Sequence, residues 1–232
     1  MTITDLARSS FHPGSTFGAG GGEPYARALR DGDSSTLYLQ EVGENGSATR
    51  AAMDFARWSA AADHVDFTLL SAVTGPLLDI GCGPGRMVRA AMDLGMLALG
   101  VDVSAAAVSY ATENGLNVIQ GSVFDTLPLE GQWQTVLLVD GNIGIGGDPG
   151  ALLERCRRLL APSGEAVVEV HEDPDRDHTY TGTLVDAHGR ESETFPWAEI
   201  GVTRLVELAA DHGLQLTQRW NLDGRTFCRL AR

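Results

Sequence analysis

Acidic side chains recur along the chain at the points where apolar segments end. Asp79 lies in "LLDIGCGPGR", Asp102 in "GVDVS", Asp125 in "GSVFD" and Asp140 in "LLVDGNIG". A carboxylate accepts hydrogen bonds from hydroxyl and amino groups, and it attracts a cationic centre. One such acid alone could be an ordinary helix cap or turn residue. Because these acids follow successive segments in order, we expect them to converge on one polar binding site.

Glycines at alternate positions follow the first of these acids. Gly81, Gly83 and Gly85 allow positive φ angles and a close approach of a ligand to the backbone. In the dinucleotide-binding pattern G-x-G-x-x-G, a third glycine would occupy the position of Arg86. A pyrophosphate would also be repelled by Asp79, whereas an amino group or a cationic sulfur would be attracted. The spacing therefore favours a ligand without pyrophosphate, and a tight strand-to-helix turn is the plain structural alternative.

The elements that must position these residues alternate between apolar strands and helices. Strands are predicted over residues 76–80, 96–103, 117–124, 135–139 and 165–170, and helices over 85–94, 104–115, 149–160 and 202–211. Such alternation predicts a doubly wound parallel sheet with right-handed crossovers. Ligands of these sheets bind beyond the carboxyl ends of the strands, which is where the acids lie.

The remaining segments are predicted from turn residues and hydrophobic spacing. Residues 1–48 form a flexible, glycine-rich N-terminal segment that acts as a lid, and residues 49–232 form a single domain. Within that domain, residues 48–73 are expected to be helical and 180–198 to form a hairpin insert. A terminal hairpin turns at Asp223-Gly224.

The segments "LLDIGCGPGR", "GVDVS", "GSVFD", "LLVDGNIG" and "LLAPSGEAVVEV" together resemble the successive motifs of class I S-adenosylmethionine-dependent methyltransferases. The resemblance covers roughly residues 76–170. It implies a Rossmann-like, mostly parallel seven-stranded sheet with an antiparallel last strand, here with a helical N-terminal extension. It also implies S-adenosylmethionine as the cofactor and S-adenosylhomocysteine as the product.

The same resemblance implies which residues surround the methionine part of the cofactor. Gly81 and Gly83 would approach it through their backbone, and Asp79 would organise that loop and the amino group. Asp140 and Gly141 would lie near the sulfonium.

The adenosine part has its own implied contacts. Asp102 would accept hydrogen bonds from the ribose hydroxyls, and Val103 would lie beside the adenine. Phe124 and Asp125 would hold the adenine ring and its amino group.

Methyl transfer from a sulfonium needs a base only if the nucleophile must lose a proton. His171 is the first candidate, because an imidazole titrates near neutral pH, and Asp140 is the second. Weaker candidates are Glu169, Glu172, His178 and Tyr180. A divalent metal chelated by Asp140, Asn142, His171, Glu172 and Asp173 is a rival hypothesis, but the spacing matches no dedicated metal motif, so no metal is assigned.

Composition limits the class of partner. The net charge of -14 argues against binding to a phosphate backbone, and "DGNI" after the fourth strand lacks the Pro-Pro-aromatic run usual in enzymes that methylate base amines. No apolar run approaches the length of a membrane span, and from the polar N-terminal residues we expect no secretory signal. We expect a cytoplasmic monomer or homodimer that methylates a small molecule, with the specialised metabolites as one class of acceptor.

The acceptor pocket is expected to form from the least family-like segments, with Tyr25, Tyr38 and Trp197 as aromatic wall residues and Trp58 as a core residue. Two alternatives remain open for the function. One is a non-catalytic S-adenosylmethionine-binding regulatory protein, and the other is a nucleotide-dependent oxidoreductase.

Overall fold

Two β-sheets organise the chain. A computed structural model describes residues 16–18, 23–31, 36–43, 50–53 and 55–232. The strands are β1 (Leu37–Glu41), β2 (Arg50–Met53), β3 (Leu77–Ile80), β4 (Ala98–Asp102), β5 (Val118–Gln120), β6 (Trp133–Leu138), β7 (Leu160–Val170), β8 (Asp177–Val185), β9 (Phe195–Ile200), β10 (Gln215–Leu222) and β11 (Arg225–Ala231). The helices are α1 (Pro24–Asp31), α2 (Phe55–Ser59), α3 (His64–Ser71), α4 (Arg86–Asp93), α5 (Ala105–Glu113), α6 (Pro149–Leu159) and α7 (Val202–Asp211).

The larger sheet has seven strands in the order β10-β11-β7-β6-β3-β4-β5. Strands β7, β6, β3, β4 and β5 run parallel, and β11 is antiparallel to both β7 and β10. This arrangement confirms the predicted mostly parallel sheet with an antiparallel last strand. None of the helices within the described ranges is long and apolar enough to cross a membrane.

Helices cover both faces of this sheet, which explains the uninterrupted apolar runs in its central strands. Val136 and Leu138 pack into a core cluster with α6 and α7, whereas Leu137 packs on the opposite side with α3 and α4. Successive residues of a strand point to opposite faces, so a strand buried on both faces has no polar side. Asp148 caps the start of α6, because its carboxylate accepts a hydrogen bond from the Ala151 amide at 2.9 Å.

The smaller sheet has the order β2-β1-β8-β9, and all its neighbours are antiparallel. The predicted hairpin insert is present as β8 and β9, paired from Asp177 with Ile200 to Gly182 with Phe195. Its turn is stabilised by Asp186, whose carboxylate accepts hydrogen bonds from the amides of His188 and Arg190. The insert is therefore part of a sheet completed by β1 and β2 from the N-terminal region.

The prediction of helix from residue 48 onward is wrong at its start. Arg50–Met53 is a strand paired with β1, and helices begin only at Phe55 and His64. The sequence "RAAM" has good helix propensity, but the sheet edge offers its backbone hydrogen-bond partners that a short exposed helix would lack. Residue 38, expected in the flexible N-terminal segment, lies in β1.

One predicted strand boundary also differs. The third strand of the alternation ends at Gln120 rather than at Phe124, because the chain turns there and the Asp125 carboxylate accepts a hydrogen bond from the Ser122 amide. The expectation that residues 1–48 form a flexible lid falls mostly on residues outside the described ranges.

Glycines in the loop after β6 bring the two sheets together. The 3₁₀ segment Asn142–Gly147 packs directly under β9. A Cβ atom on Gly144 would lie 2.8 Å from the Trp197 ring, and one on Gly147 would lie 2.8 Å from Pro196. Only glycine permits this contact, so the loop fixes where the small sheet sits over the carboxyl ends of the large one.

Substitution of Gly144 by alanine tests this contact. The added methyl group overlaps the Trp197 ring and the backbone of Ala198, so the free energy of unfolding should fall by roughly 1–3 kcal/mol, as overpacking does elsewhere. Urea unfolding measures the change. Gly121→Ala is the matched control, because the nearest atom to its new methyl group lies 3.9 Å away. An equal loss in both variants would contradict the packing argument.

Candidate functional site

A cavity of about 480 Å³ lies at the carboxyl ends of β3, β4 and β6, beneath the small sheet. Its wall contains most of the site residues predicted from sequence: Asp79, Gly81, Gly83, Asp102, Val103, Phe124 and Asp140. Three other predicted residues, Asp125, Gly141 and His171, lie outside its lining. The predicted convergence of acids on one site is therefore seen for three of the four strand ends.

The glycine loop after β3 is held by the loop after β6. The Asn142 side chain donates hydrogen bonds to the carbonyl oxygens of Ile80 at 2.8 Å and Gly81 at 3.0 Å. Gly81 has a φ of 69°, and a Cβ atom there would lie 2.8 Å from the Asn142 amide nitrogen. Glycine at this position thus permits both the positive φ angle and the close contact with Asn142. The backbone of the loop faces the cavity.

Asp79 presents an unpartnered carboxyl group to this cavity. Its side chain is 2% exposed, and its Oδ1 atom has no hydrogen-bond partner among the described residues. Burial raises the pKa of Asp79 to about 8; Arg86 opposes this rise and Asp140 adds to it. A buried carboxyl without a hydrogen-bond partner is energetically unfavourable unless a ligand supplies that partner. The position suits a ligand that carries an ammonium group.

Asp102 joins the end of β4 to the glycine loop. Its Oδ2 accepts a hydrogen bond from the Gly83 amide at 2.8 Å, and its Oδ1 accepts one from the Ser104 amide at 2.8 Å. Each carboxylate oxygen has a second acceptor site, so the group can also receive a pair of ligand hydroxyls. Phe124 stands nearby with 41% of its surface exposed, and a Cβ on Gly146 would touch its ring at 3.4 Å. A diol and a flat ring fit this end of the cavity.

Asp140 occupies the centre of a buried ion network. Arg86 bonds its Oδ2, and Arg225 bonds its Oδ1 at 2.8 Å. The Asp140 amide donates to the Glu169 carboxylate at 2.6 Å, and Arg225 bonds that carboxylate through two nitrogens. Asp140 has a φ of 56°, an uncommon conformation for a non-glycine residue, which these contacts hold in place. Because both its oxygens face arginines, its carboxylate is poorly placed to act as a base.

The network extends beneath the glycine loop. Asp66, only 2% exposed, bonds Arg86 and accepts a hydrogen bond from Arg57 at 3.1 Å. Sequence reasoning missed Asp66 and Arg225 as parts of the site. Their partners lie 20 and 85 residues away along the chain, so no local spacing could reveal them.

His171 lies in an adjoining cleft of about 350 Å³, which shares Met53, Asp140 and Trp197 with the main cavity. Its Nδ1 accepts a hydrogen bond from the Asp173 amide at 3.1 Å. The structure therefore places His171 beside the site and not on the main cavity wall. Whether it acts in catalysis stays a prediction.

The weaker base candidates have other partners or positions. Glu169 is bonded by Arg225, His178 faces Glu41 at 3.2 Å, and the Tyr180 hydroxyl donates to Glu199 at 3.0 Å. Glu172 is exposed. Within the described ranges, no group of three or more His, Cys, Asp or Glu side chains is arranged to hold a metal ion.

Six aromatic rings form a cluster packed with the small sheet, with ring centroids 5.4 to 6.4 Å apart. The Tyr25 hydroxyl of this cluster reaches the glycine loop, where a Cβ atom on Gly83 would lie 3.1 Å from it. We call this group the aromatic cluster; it consists of Phe17, Tyr25, Phe55, Trp58, Phe195 and Trp197. Four of these residues line the cavity: Phe17, Tyr25, Trp58 and Trp197.

The expected aromatic wall is thus partly right. Tyr25 and Trp197 are on the wall, whereas Tyr38 alternates with the buried Leu37 and Leu39 on β1 and is absent from the lining. Trp58 contributes both to the core and to the wall.

Two sequence comparisons find known proteins that are similar to this chain. Residues 77–164 match a family model described as a methyltransferase domain. A ubiquinone biosynthesis O-methyltransferase of Caulobacter sp. (strain K31) is 35% identical over 98 residues, which are 40% of this chain. The match covers 39% of the length of that relative, so it concerns only part of that protein.

Solved structures share the fold over most of the chain. A SAM-dependent methyltransferase from Bacteroides fragilis, in complex with S-adenosyl-L-homocysteine, matches with a TM-score of 0.71 and 18% identity, covering 89% of this chain and 92% of that one. The 1,6-didemethyltoxoflavin-N1-methyltransferase of Burkholderia thailandensis matches with a TM-score of 0.54 and 17% identity, covering 72% and 76%.

The sheet order and the glycine-rich, carboxylate-lined cavity define a Rossmann-like α/β protein with its binding site at the strand ends. Residues 77–164 resemble a methyltransferase domain, and the fold is the one seen in a solved S-adenosylmethionine-dependent methyltransferase.

Removal of one arginine tests the ion network. Arg225→Ala leaves Asp140 and Glu169 with less compensation in a buried setting, so the free energy of unfolding should fall by roughly 3–5 kcal/mol. Arg204→Ala is the control, because Arg204 is 38% exposed and pairs with Glu207 at the surface; its loss should be at most about 1 kcal/mol. Denaturant unfolding of both variants decides the matter, and similar small losses would show that the network contributes little.

Proposed function

We propose that this protein transfers the methyl group of S-adenosylmethionine to a small-molecule acceptor. The observation that carries the proposal is the buried carboxyl of Asp79 beside the glycine loop, whose Oδ1 has no partner among the described residues, in a cavity that also has aromatic walls. A dinucleotide would place a pyrophosphate next to this acid, whereas the amino group of a methionine moiety completes it.

The residues present fit this cofactor. Asp79 would pair with its ammonium group, Asp102 would accept hydrogen bonds from its ribose, and the exposed ring of Phe124 would lie against its adenine. When bound, the cofactor supplies a methyl group already activated on a sulfonium. The protein's part is to hold the acceptor in line with that methyl group and to exclude water.

A small acceptor is supported by the shape and charge of the site. The cavity is closed on one side by the small sheet and the aromatic cluster, so a polymer has little room beneath them. The net charge of -14 also disfavours nucleic acid. Among the fold relatives, the Burkholderia enzyme is an N1-methyltransferase crystallised with 1,6-didemethyltoxoflavin. Specialised metabolites are therefore the class of acceptor we favour.

Calorimetric titration of the purified chain with S-adenosylhomocysteine tests the proposal, with NADH titrated in parallel. We expect S-adenosylhomocysteine to bind and, at about one hundred times its dissociation constant, to add roughly 2.7 kcal/mol to the free energy of unfolding. Asp102→Ala should abolish or strongly weaken that binding while the variant still shows a cooperative unfolding transition. Binding of NADH alone would overturn the proposal.

Proton release provides a sharper prediction about Asp79. With a pKa of about 8, this carboxyl is mostly protonated at pH 7. A ligand ammonium stabilises the ionised form and lowers that pKa, so binding should release protons. Titrations of S-adenosylhomocysteine at pH 7, in buffers of different ionisation enthalpy, measure the number released. Asp79→Asn should bind more weakly and release fewer protons, whereas Asp211→Asn, an exposed residue of α7 outside the cavity lining, should match the parent protein.

Stability of the free protein depends on the same group. The folded-state pKa of Asp79 lies above its ordinary value of 3.8, so between that value and about 8 the folded state holds more protons than the unfolded state. Its contribution therefore becomes less favourable as pH rises through this window. Between pH 4 and pH 8, the free energy of unfolding of Asp79→Asn should therefore increase relative to that of the parent protein. A constant difference would argue against the raised pKa.

A further inference from the structure

Resting on the proposed function, we infer that the methylated atom is an uncharged nitrogen carried on a flat, largely apolar ring system. The inference goes beyond methyl transfer as such, because it selects among oxygen, nitrogen and carbon acceptors. Three features of the cavity support this assignment: its aromatic walls, the charges of its lining residues and the hydrogen-bond partners of its acidic side chains.

The walls select a flat apolar ring. Phe17 lies 5.4 Å from Trp197 and 5.6 Å from Tyr25, measured between ring centroids, and Trp58 lies 6.1 Å from Phe17. Trp197 is only 6% exposed and packs against Gly144, in the loop that begins with Asp140. The aromatic cluster therefore reaches the loop expected beside the sulfonium, and a planar acceptor can stack on these rings next to the methyl group.

The charges on the wall exclude an anionic acceptor. Arg86 is the cationic residue in the described lining, and it is engaged by Asp66 and Asp140. The other charged groups of the lining are carboxylates, including Asp79 and Asp102. A carboxylate or phosphate on the acceptor would enter without a free cation to pair with, beside groups of its own sign.

Three of the four acids in the described lining already have partners in the protein, which bears on the nucleophile. Asp102 accepts hydrogen bonds from two backbone amides, and Asp140 accepts hydrogen bonds from two arginines. Asp148 accepts a hydrogen bond from the first turn of α6. Asp79 lies at the glycine loop, the end assigned above to the methionine moiety. The described lining contains no histidine, and His171 belongs to the adjoining cleft. A hydroxyl that must lose its proton thus finds no free base there, whereas a nitrogen lone pair needs none.

Tyr25 shows how the cavity treats a phenol. Its ring is 3% exposed, and burial together with Asp102 raises the pKa of its hydroxyl well above the usual value. Burial and a carboxylate neighbour therefore disfavour a phenolate at this part of the cavity wall.

The charge balance of the step agrees with these surroundings. The nitrogen lone pair forms a bond to the methyl carbon while the carbon–sulfur bond breaks and leaves its electron pair on sulfur. The positive charge passes from sulfur to nitrogen, between aromatic faces and carboxylates that stabilise a cation. An amine then loses its extra proton to water, and a ring nitrogen without hydrogen stays cationic.

Matched acceptors on one ring test the inference: 2-naphthylamine, 2-naphthol and 2-naphthoic acid, each incubated with S-adenosylmethionine and the full chain. Mass spectrometry locates the added methyl group and measures its rate of appearance. We expect kcat/KM for the amine to exceed that for the naphthol by at least about a hundredfold, the lower range of what a positioned base would have contributed to the hydroxyl. The acid should not react.

Binding supplies a readout that does not depend on turnover. Quenching of tryptophan fluorescence in the S-adenosylhomocysteine-loaded protein should report the amine, with affinity about tenfold weaker in Trp197→Leu. Trp58→Leu serves as a second variant if the first does not fold. Trp220→Leu is the control, since Trp220 stacks on Phe227 at 5.8 Å, away from the cavity.

The outcomes separate this inference from the proposed function. Methylation of the naphthol at a comparable or higher rate overturns the nitrogen assignment. Failure of the amine to bind while S-adenosylhomocysteine still binds also overturns it, and leaves methyl transfer standing. Loss of S-adenosylhomocysteine binding in the parent protein removes the proposed function itself.

Discussion

The carboxylate of Asp140 is the constraint on which the site depends. Arg86 reaches it from the helix after the glycine loop, and Arg225 reaches it from the last strand. Burial makes each of these charges unfavourable alone, so they stabilise the fold only as a complete set. The loop after β6 is thereby fixed, and Asn142 within it fixes the glycine loop in turn. One network thus sets the positions of both loops that border the cavity.

Sequence patterns could predict the half of this arrangement that local rules govern. The alternation of apolar strands and helices determines a parallel sheet, and acids at strand ends must then share one edge, as Asp79, Asp102 and Asp140 do. Asp125 follows the same pattern, but its carboxylate stabilises a turn by accepting a hydrogen bond from the Ser122 amide. A strand-end position indicates the neighbourhood of a side chain and does not decide its partner.

The other half arises from contacts that are distant along the chain. Arg50–Met53 becomes a strand because β1 lies beside it, and β1 in turn pairs with β8, more than a hundred residues later. The aromatic cluster collects rings from the N-terminal segment, α1, α2 and β9, none of which shows a periodic spacing with the others. Tertiary pairing overrides propensity at such places, and a single sequence carries no local mark of it.

The two sheets contribute different walls of the cavity, and this has an evolutionary consequence. The large sheet carries the glycine loop and the acids, whereas the small sheet and its aromatic neighbours form the opposite wall. The two meet closely at Gly144 and Gly147, where backbone contacts fix their spacing. Substitutions on β9 or α2 can therefore reshape the aromatic wall of the cavity without touching the residues of the large sheet. Under the proposed function, a lineage built on this plan can acquire new acceptors through changes in the small sheet while its cofactor site stays unchanged.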